Sequence, residues 1–353
     1  MKIFQRYIIT NYIKNFFIIF LGLELFYVGI DLLTNYKELP DSANLQILYL
    51  SFKMMDAINY TLPLSLVFSM IVTKFAMIKS NELITLYAVG ISKNSVLKPI
   101  FLSSFIISIL YIGLNFTPFA YSYEYSRNLL KYSVISNNST NLFLKDENNY
   151  IFFEELDPLK KSARGIEIFE ILNNDLAKII SAKEGYFNED RWVLKNVTIT
   201  SKQKIETLTD QGLEVSYVDK YETLKDFKPK IIENVHQGKY TLSTIDAIDA
   251  LIFFNSQGIN TDRIKTIIYS QTFFPLFAPL LVVVLFYYLP ISSRFFDYAF
   301  LTFVFILVTL LTWGFLFLLS RLSYSSVIVP EIALLLPILI LGTMSLRYYY
   351  SNS

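Results

Sequence analysis

Few side chains in this chain could do chemistry, and most of those sit in apolar surroundings. Glu24 lies about halfway along a long apolar run, Asp31 nearer its far end, and Tyr36 and Lys37 just beyond. An ionisable group at membrane depth is costly unless it faces a cavity or a partner. Glu24 is therefore expected to face the interior of a helix bundle, with Asp31 and Lys37 near its outer mouth. Asp56 opens the next apolar run and is expected at the level of lipid headgroups. A second group of residues runs from Ser80 to Lys93. Ser80, Glu82 and Leu83 begin a helical pattern, Gly90 ends it, and the middle is short of charge. An exposed apolar helix in a loop needs something to bury against.

No catalytic residues and no metal ligands are expected. The chain has no cysteine, which removes disulfides, thiolate metal sites and a cysteine nucleophile. The single histidine, His236, lies in a polar stretch and reads as a solvated side chain. There is no supported Ser-His-Asp set, no H-E-x-x-H and no Walker-type phosphate loop, so ATP is not hydrolysed by that route. The net charge of +1 gives no sign of nucleic-acid binding.

The elements that must position these residues are membrane helices. The chain is 53% hydrophobic and 17% charged, against about 25% charge in soluble domains. Of its 61 charged residues, 40 (18 basic and 22 acidic) fall within residues 123–264, so the charge is concentrated in one insertion. Apolar stretches of about 20 residues, enough to span a bilayer as a helix, lie on either side. They run over residues 12–34, 57–78 and 97–119, then 266–289, 297–320 and 327–346. The first is too long for a signal peptide, and no small-residue cleavage site follows it.

Lys2, Arg6 and Lys14 precede the first span, and Lys74, Lys79, Lys93 and Lys98 flank the connection between the second and third. Arg294 lies between the fourth and fifth, and Arg347 follows the sixth. The other side offers Lys37, Lys53 and Arg321. The positive-inside bias puts both termini in the cytoplasm and the insertion outside, which is the periplasm in a two-membrane bacterium. Pro63, Pro275 and Pro279 fall within spans as candidate kinks. The 31 Phe and 25 Tyr crowd spans one, four and five, a minority of them able to line an acyl-chain cavity.

Within the insertion, residues 149–156, 165–172, 177–187 and 192–200 are short, β-branched and aromatic, and several alternate apolar with polar. Asn173-Asn174-Asp175 and Asn188-Glu189-Asp190 are turn signals between them. The pattern predicts an antiparallel sandwich or open barrel over 141–223. A helix is expected from Thr244 to Gln257, with Ser243 as N-cap, Asp246 three residues on and Gly258 as the stop. The organisation is then 1–122 for three spans, 123–264 for the β domain with its connecting helix, and 265–353 for three more spans.

Several local motifs, in order and spacing, resemble the LptF/LptG permease family of the lipopolysaccharide exporter over essentially the whole chain. They are Arg6-Tyr7, Leu62-Pro63-Leu64-Ser65, Ser80-Asn81-Glu82-Leu83 through Ala88-Val89-Gly90-Ile91-Ser92, Leu142–Phe153, Ile166–Phe169 and Trp192-Val193-Leu194. Leu142–Phe153 looks more like LptG. The resemblance implies an α-helical membrane protein with six transmembrane helices (3+3) and an inserted periplasmic β-jellyroll-like domain, multi-pass in the bacterial inner membrane. It implies a permease subunit that extracts lipopolysaccharide and passes it to a periplasmic bridge toward the outer membrane.

The implied partners are an LptB-type ATPase dimer, a second LptF/LptG-type permease, and the bridge proteins LptC and LptA. No cofactor binds directly, and ATP is hydrolysed by the partner subunit. Residues 80–92 match the coupling helix, with Glu82, Leu83, Leu86, Tyr87, Gly90 and Ile91 as its contacts to the ATPase. Span one matches a wall of the lateral gate, with Glu24, Asp31, Tyr36 and Lys37 as candidates. Family members often carry basic residues there, whereas here Lys37 is the only cation of that outer stretch. The competing readings are a membrane-anchored periplasmic binding or scaffold protein, and another ABC permease handling lipoproteins. The latter usually has four spans, against six here.

Overall fold

The computed structural model describes residues 3–135, 139–146, 149–158, 160–172, 175–202, 212–225, 227–229, 241–256, 260–291 and 297–351. The readings made on Lys2, Asn173, Asn174, His236, Gln257, Gly258 and Arg294 lie outside these residues. In chain order the helices are α1 (Ile3–Asn35), α2 (Ala43–Lys79), α3 (Glu82–Ala88), α4 (Lys93–Leu114) and α5 (Ser122–Tyr132). After the strands come α6 (Thr244–Ser256), α7 (Asp262–Thr272), α8 (Phe277–Tyr288), α9 (Tyr298–Tyr324) and α10 (Leu336–Ser351). The chain divides into two compact units. One comprises Met1–Ser126, Ser243–Ala247 and Thr261–Ser353; the other comprises Arg127–Leu242 and Ile248–Asn260.

In the helical unit, six segments among the described residues are long and apolar enough to cross a membrane. They are Ile3–Glu38, Ala43–Lys79, Lys93–Leu114, Asp262–Tyr288, Tyr298–Tyr324 and Glu331–Ser351. The three-plus-three arrangement expected from hydropathy is present, but the first two helices overrun their apolar runs by a dozen residues or so. Hydropathy marks only the lipid-crossing part, whereas a helix continues for as long as its backbone pairs internally. The third helix ends at Leu114 rather than 119, ahead of Pro118, whose ring disfavours helix in the residue before it.

Pro63 is accommodated inside α2. Pro275 does break its span: it opens the 3-10 turn Phe274–Leu276 that separates α7 from α8. Pro279 falls in the first turn of α8, where no intrahelical N–H is lost.

α1 buries a stripe at spacings of four and eight residues: Ile8, Tyr12, Phe16, Glu24 and Val28. The partner face of α2 carries Thr61, Ser65, Ser69 and Thr73 at four-residue spacing, all buried. Small side chains of this kind let helix backbones approach closely where lipid supplies no hydrophobic drive. Polar pairs then fix the register. The Tyr12 hydroxyl donates to the Leu66 carbonyl at 3.0 Å, and Asn15 Nδ2 to Thr73 Oγ1 at 2.8 Å.

Ser243 caps α6 as expected: its hydroxyl donates to Asp246 Oδ2 at 2.6 Å and accepts the Asp246 N–H at 3.2 Å. Tyr121 closes the same knot, accepting the Ser243 N–H at 3.2 Å and donating to the Asp246 carboxylate. Burial, reinforced by that carboxylate, pushes the Tyr121 hydroxyl pKa well up.

Among the described residues, the β unit is one six-stranded antiparallel sheet in the order β1-β2-β3-β4-β5-β6. The strands are β1 (Ser139–Asp146), β2 (Asn149–Asp157), β3 (Ser162–Leu172), β4 (Asp175–Asn188), β5 (Arg191–Lys202) and β6 (Leu213–Thr223). The expected all-β insertion is thus a continuous meander with β1 and β6 at its edges. One face packs around Trp192, which is fully buried against Phe153 and Phe187. Its indole N–H donates to the Phe227 carbonyl at 2.7 Å, so the buried polar end is satisfied. β6 is different: Leu213, Val215, Tyr217 and Val218 are all exposed.

Candidate functional site

α3 and its two flanking turns are the most sharply built feature of the helical unit. Asn81 takes a left-handed conformation (φ +57°) and turns the chain out of α2, while the Ser80 hydroxyl caps α2 on the Ala76 carbonyl at 3.0 Å. At the other end the Gly90 N–H donates to Tyr87 O at 3.0 Å and the Ile91 N–H to Leu86 O at 3.1 Å. This double closure needs a left-handed residue at Gly90, where φ is +84° and glycine carries no Cβ penalty.

The helix sorts its residues onto two faces. Leu83 is fully buried, and Leu86, Tyr87 and Ile91 pack against the bundle core. The Tyr87 hydroxyl has no hydrogen-bond partner among the described residues, and its burial raises its pKa to about 12. Ile84, Thr85, Ala88 and Val89 face outward, Val89 with 73% of its surface exposed. Glu82 is tied back to α1, accepting from the Tyr7 hydroxyl at 3.1 Å. Of the six residues singled out from the sequence, four thus face inward or rim the core, Gly90 makes the turn, and Glu82 is held by Tyr7. The outward apolar residues were missed. A seven-residue helix carries too little periodicity to say which of two apolar faces is the inner one.

The second arrangement is a polar network between α1 and α2. Glu24 is buried as expected: its Oε1 accepts from Thr61 Oγ1 at 2.5 Å, and its Oε2 has no partner among the described residues. One helical stretch further on, Lys53 Nζ lies 2.9 Å from Asp31 and 3.5 Å from Asp56. The Tyr49 hydroxyl also donates to Asp31. Lys53 sits 5.4 Å from the centre of the Tyr27 ring, which stacks on Tyr60.

Asp56 lies within α2, buried (3% exposed) and ion-paired to Lys53. Lys53 belongs to the interior of α2, not to a loop, and Arg321 to the last turn of α9. The cation beside Asp31 is Lys53. Lys37, with Tyr36, lies on the exposed turn Tyr36–Glu38 and forms no ion pair among the described residues. The signal that could have found Lys53 is its spacing: it stands three residues before Asp56, on one face of a helix.

A further functional candidate escaped the sequence reading altogether. Lys74, read as a flanking cation, is 3% exposed. Its amino group donates to Leu289 O at 2.8 Å and to Phe286 O, at the end of α8. These carbonyls are among those a helix C-terminus leaves without intrahelical partners. Nearby, Asn94 donates to the Tyr349 carbonyl at 3.0 Å and accepts from the Tyr287 hydroxyl, joining the start of α4 to the ends of α8 and α10.

These are the parts of a membrane bundle with an internal polar seam and an external short helix, with no acid–base–nucleophile constellation assembled among the described residues. No curated protein matches the chain. Residues 6–351, nearly the whole of it, match the family described as the lipopolysaccharide export system permease LptF/LptG. That description is common to LptF and LptG, and the chain belongs to this family of membrane permeases, which export lipopolysaccharide and are not themselves ATPases.

Proposed function

We infer that this chain is one permease half of an ATP-driven exporter that lifts lipopolysaccharide from the inner membrane into a periplasmic bridge. In this reading both termini and α3 are cytoplasmic and the β unit is periplasmic. α3 docks into an LptB-type ATPase dimer, which hydrolyses the ATP. A second LptF/LptG-type permease completes the cavity, one wall of which is α1 with Glu24 and Asp31. LptC and LptA continue the path from the β unit.

The observation that carries this reading is the outward face of α3. Ile84, Thr85, Ala88 and Val89 form an uncharged patch on a helix whose other face is held in the bundle core by Leu83, Leu86, Tyr87 and the neighbouring Ile91. A rigid helix with an unburied apolar face transmits a push from whatever covers it. The exposed Leu213, Val215 and Tyr217 on the edge strand β6 support strand addition by a neighbouring β domain.

The test uses the absence of native cysteine. Val89→Cys in membranes is expected to cross-link to the ATPase subunit with a short bismaleimide and a single-cysteine ATPase partner. Cross-linking at Val89 absent while the complex still forms, or surface lipopolysaccharide unchanged on depletion of the chain, would sink the reading. The second result would favour an anchored binding or scaffold protein.

A further inference from the structure

A groove of about 420 Å³ opens between α4, α8 and α10. Its wall is apolar, formed by Leu97, Phe101 and Leu102 of α4, Leu280 and Val283 of α8, and Leu346 of α10. On α10 the groove follows Gly342, Ser345, Leu346 and Tyr349, a single helical stripe at three- and four-residue spacing. Gly342 leaves the space: a Cβ built there meets nothing within 4 Å. The Ser345 hydroxyl is spent on the Leu280 and Leu341 carbonyls, so it offers the groove no donor.

The polar residues of the groove gather at one end. Lys98 stands in the second turn of α4, and Tyr349 and Tyr350 are in the last turn of α10. The Asn94–Tyr349 hydrogen bond shows that these two helix ends meet. α3 leads directly into this end of α4. Lys98 is exposed and has no ion pair among the described residues, and no carboxylate lines the groove.

We propose that this groove is a binding site for an anionic glycerophospholipid of the surrounding bilayer, one acyl chain lying along Phe101, Leu102 and Gly342 and the phosphate meeting Lys98. The volume falls within the ~300–1,000 Å³ of small-molecule sites. The apolar side chains of α4, α8 and α10 offer an acyl chain a continuous surface. A basic residue at the headgroup end of an inter-helical apolar slot is the chemistry that selects anionic lipid, and a lysine stem on apolar surface delivers its charge to that level. The site is separate from the Glu24 seam between α1 and α2. Its assignment to the cytoplasmic leaflet rests on the orientation proposed above; the lipid selectivity does not.

The test is native mass spectrometry of the full-length chain released from nanodiscs of equal phosphatidylcholine and phosphatidylglycerol. Wild type is expected to retain one phosphatidylglycerol with about fivefold preference, the ratio that ~1 kcal/mol of attraction per basic residue gives. Lys98→Glu is expected to abolish the preference. Gly342→Phe, which fills the slot on a helix it also favours, is expected to lose the bound lipid, while Thr343→Phe on the exposed side keeps it. No preference in wild type, or lipid retained equally in Gly342→Phe, overturns the proposal, as does recovery of lipopolysaccharide in place of phospholipid. Labelling of Val89→Cys by a membrane-impermeant maleimide separates the two readings. Labelling from the periplasmic side would remove the orientation and leave the groove standing.

Discussion

Lys74 Nζ lies 2.8 Å from the carbonyl oxygen of Leu289, a residue 215 positions away, and 4.2 Å from the centre of the Phe286 ring. One side chain of α2 thus closes the open end of α8, in a place where water does not reach. Both Phe286 and Leu289 are buried, so the carbonyls have no alternative partner in solvent. Lys74→Met keeps the apolar stem and removes the donor. It is expected to lower stability by about 1–3 kcal/mol, the cost of leaving buried acceptors unsatisfied. Thermal unfolding in mild detergent checks this, and an unchanged midpoint would show that the cap is idle.

Lys53 bridges Asp31 and Asp56, and removing it leaves two carboxylates facing each other in a confined seam. Breaking a buried pair on one side typically costs about 3–5 kcal/mol, and the partial exposure of Asp31 places Lys53→Met at about 3 kcal/mol. The double variant Lys53→Met with Asp31→Asn is expected to recover part of that loss. A double variant no better than the single one would mean that the seam is held by Tyr49 and the helix packing instead.

Glu82 offers a choice between two roles that variants separate. Tyr7→Phe removes only an exposed hydrogen bond, worth about 1 kcal/mol or less, and export is expected to stay near wild type. Glu82→Lys is expected to reduce export while the protein remains in the membrane, because it also places a cation beside the proposed docking face of α3. Gly90→Ala forces a Cβ into φ +84°. It is expected to cost about 1–2 kcal/mol and to loosen α3, which protease sensitivity of the 80–92 segment would report. Equal loss of export in Tyr7→Phe and Glu82→Lys would assign Glu82 to holding α1 rather than to a partner.

The β unit supplies a pH-dependent contact. The Lys202 amino group donates to Asp175, and this hydrogen bond holds the Asp175 carboxyl below its ordinary value. A depressed folded-state pKa means that the stabilisation is present above the ordinary carboxylate value and is lost as pH falls through the lowered one. Because both groups are exposed, the effect on stability is small and screened by salt. Lys202→Ala is expected to return the Asp175 titration toward the ordinary carboxylate range in NMR, and an unmoved titration would contradict the assignment.

Much of this architecture was legible along the chain. Spans and strands are set by hydrophobic period within a few turns, a property of consecutive residues. The same holds for the Ser243–Asp246 cap and for the Gly90 stop, each made by residues within a few positions of one another. Glu24 could be placed inward because a carboxylate at that depth has nowhere else to go.

What only the tertiary structure decided is which distant groups meet. Asp31 is 22 residues from Lys53, and only the docking of α1 on α2 brings the two together. Lys74 looked like a flanking charge because hydropathy cannot see that its donors reach the end of another helix. The two faces of α3 could not be told apart, since both are apolar and only packing against the bundle buries one. Local sequence dictates where backbone hydrogen bonds form, within one helix or between adjoining strands. The pairing of side chains is fixed by how helices dock, and that is determined by shape and satisfaction of buried polar atoms over the whole unit.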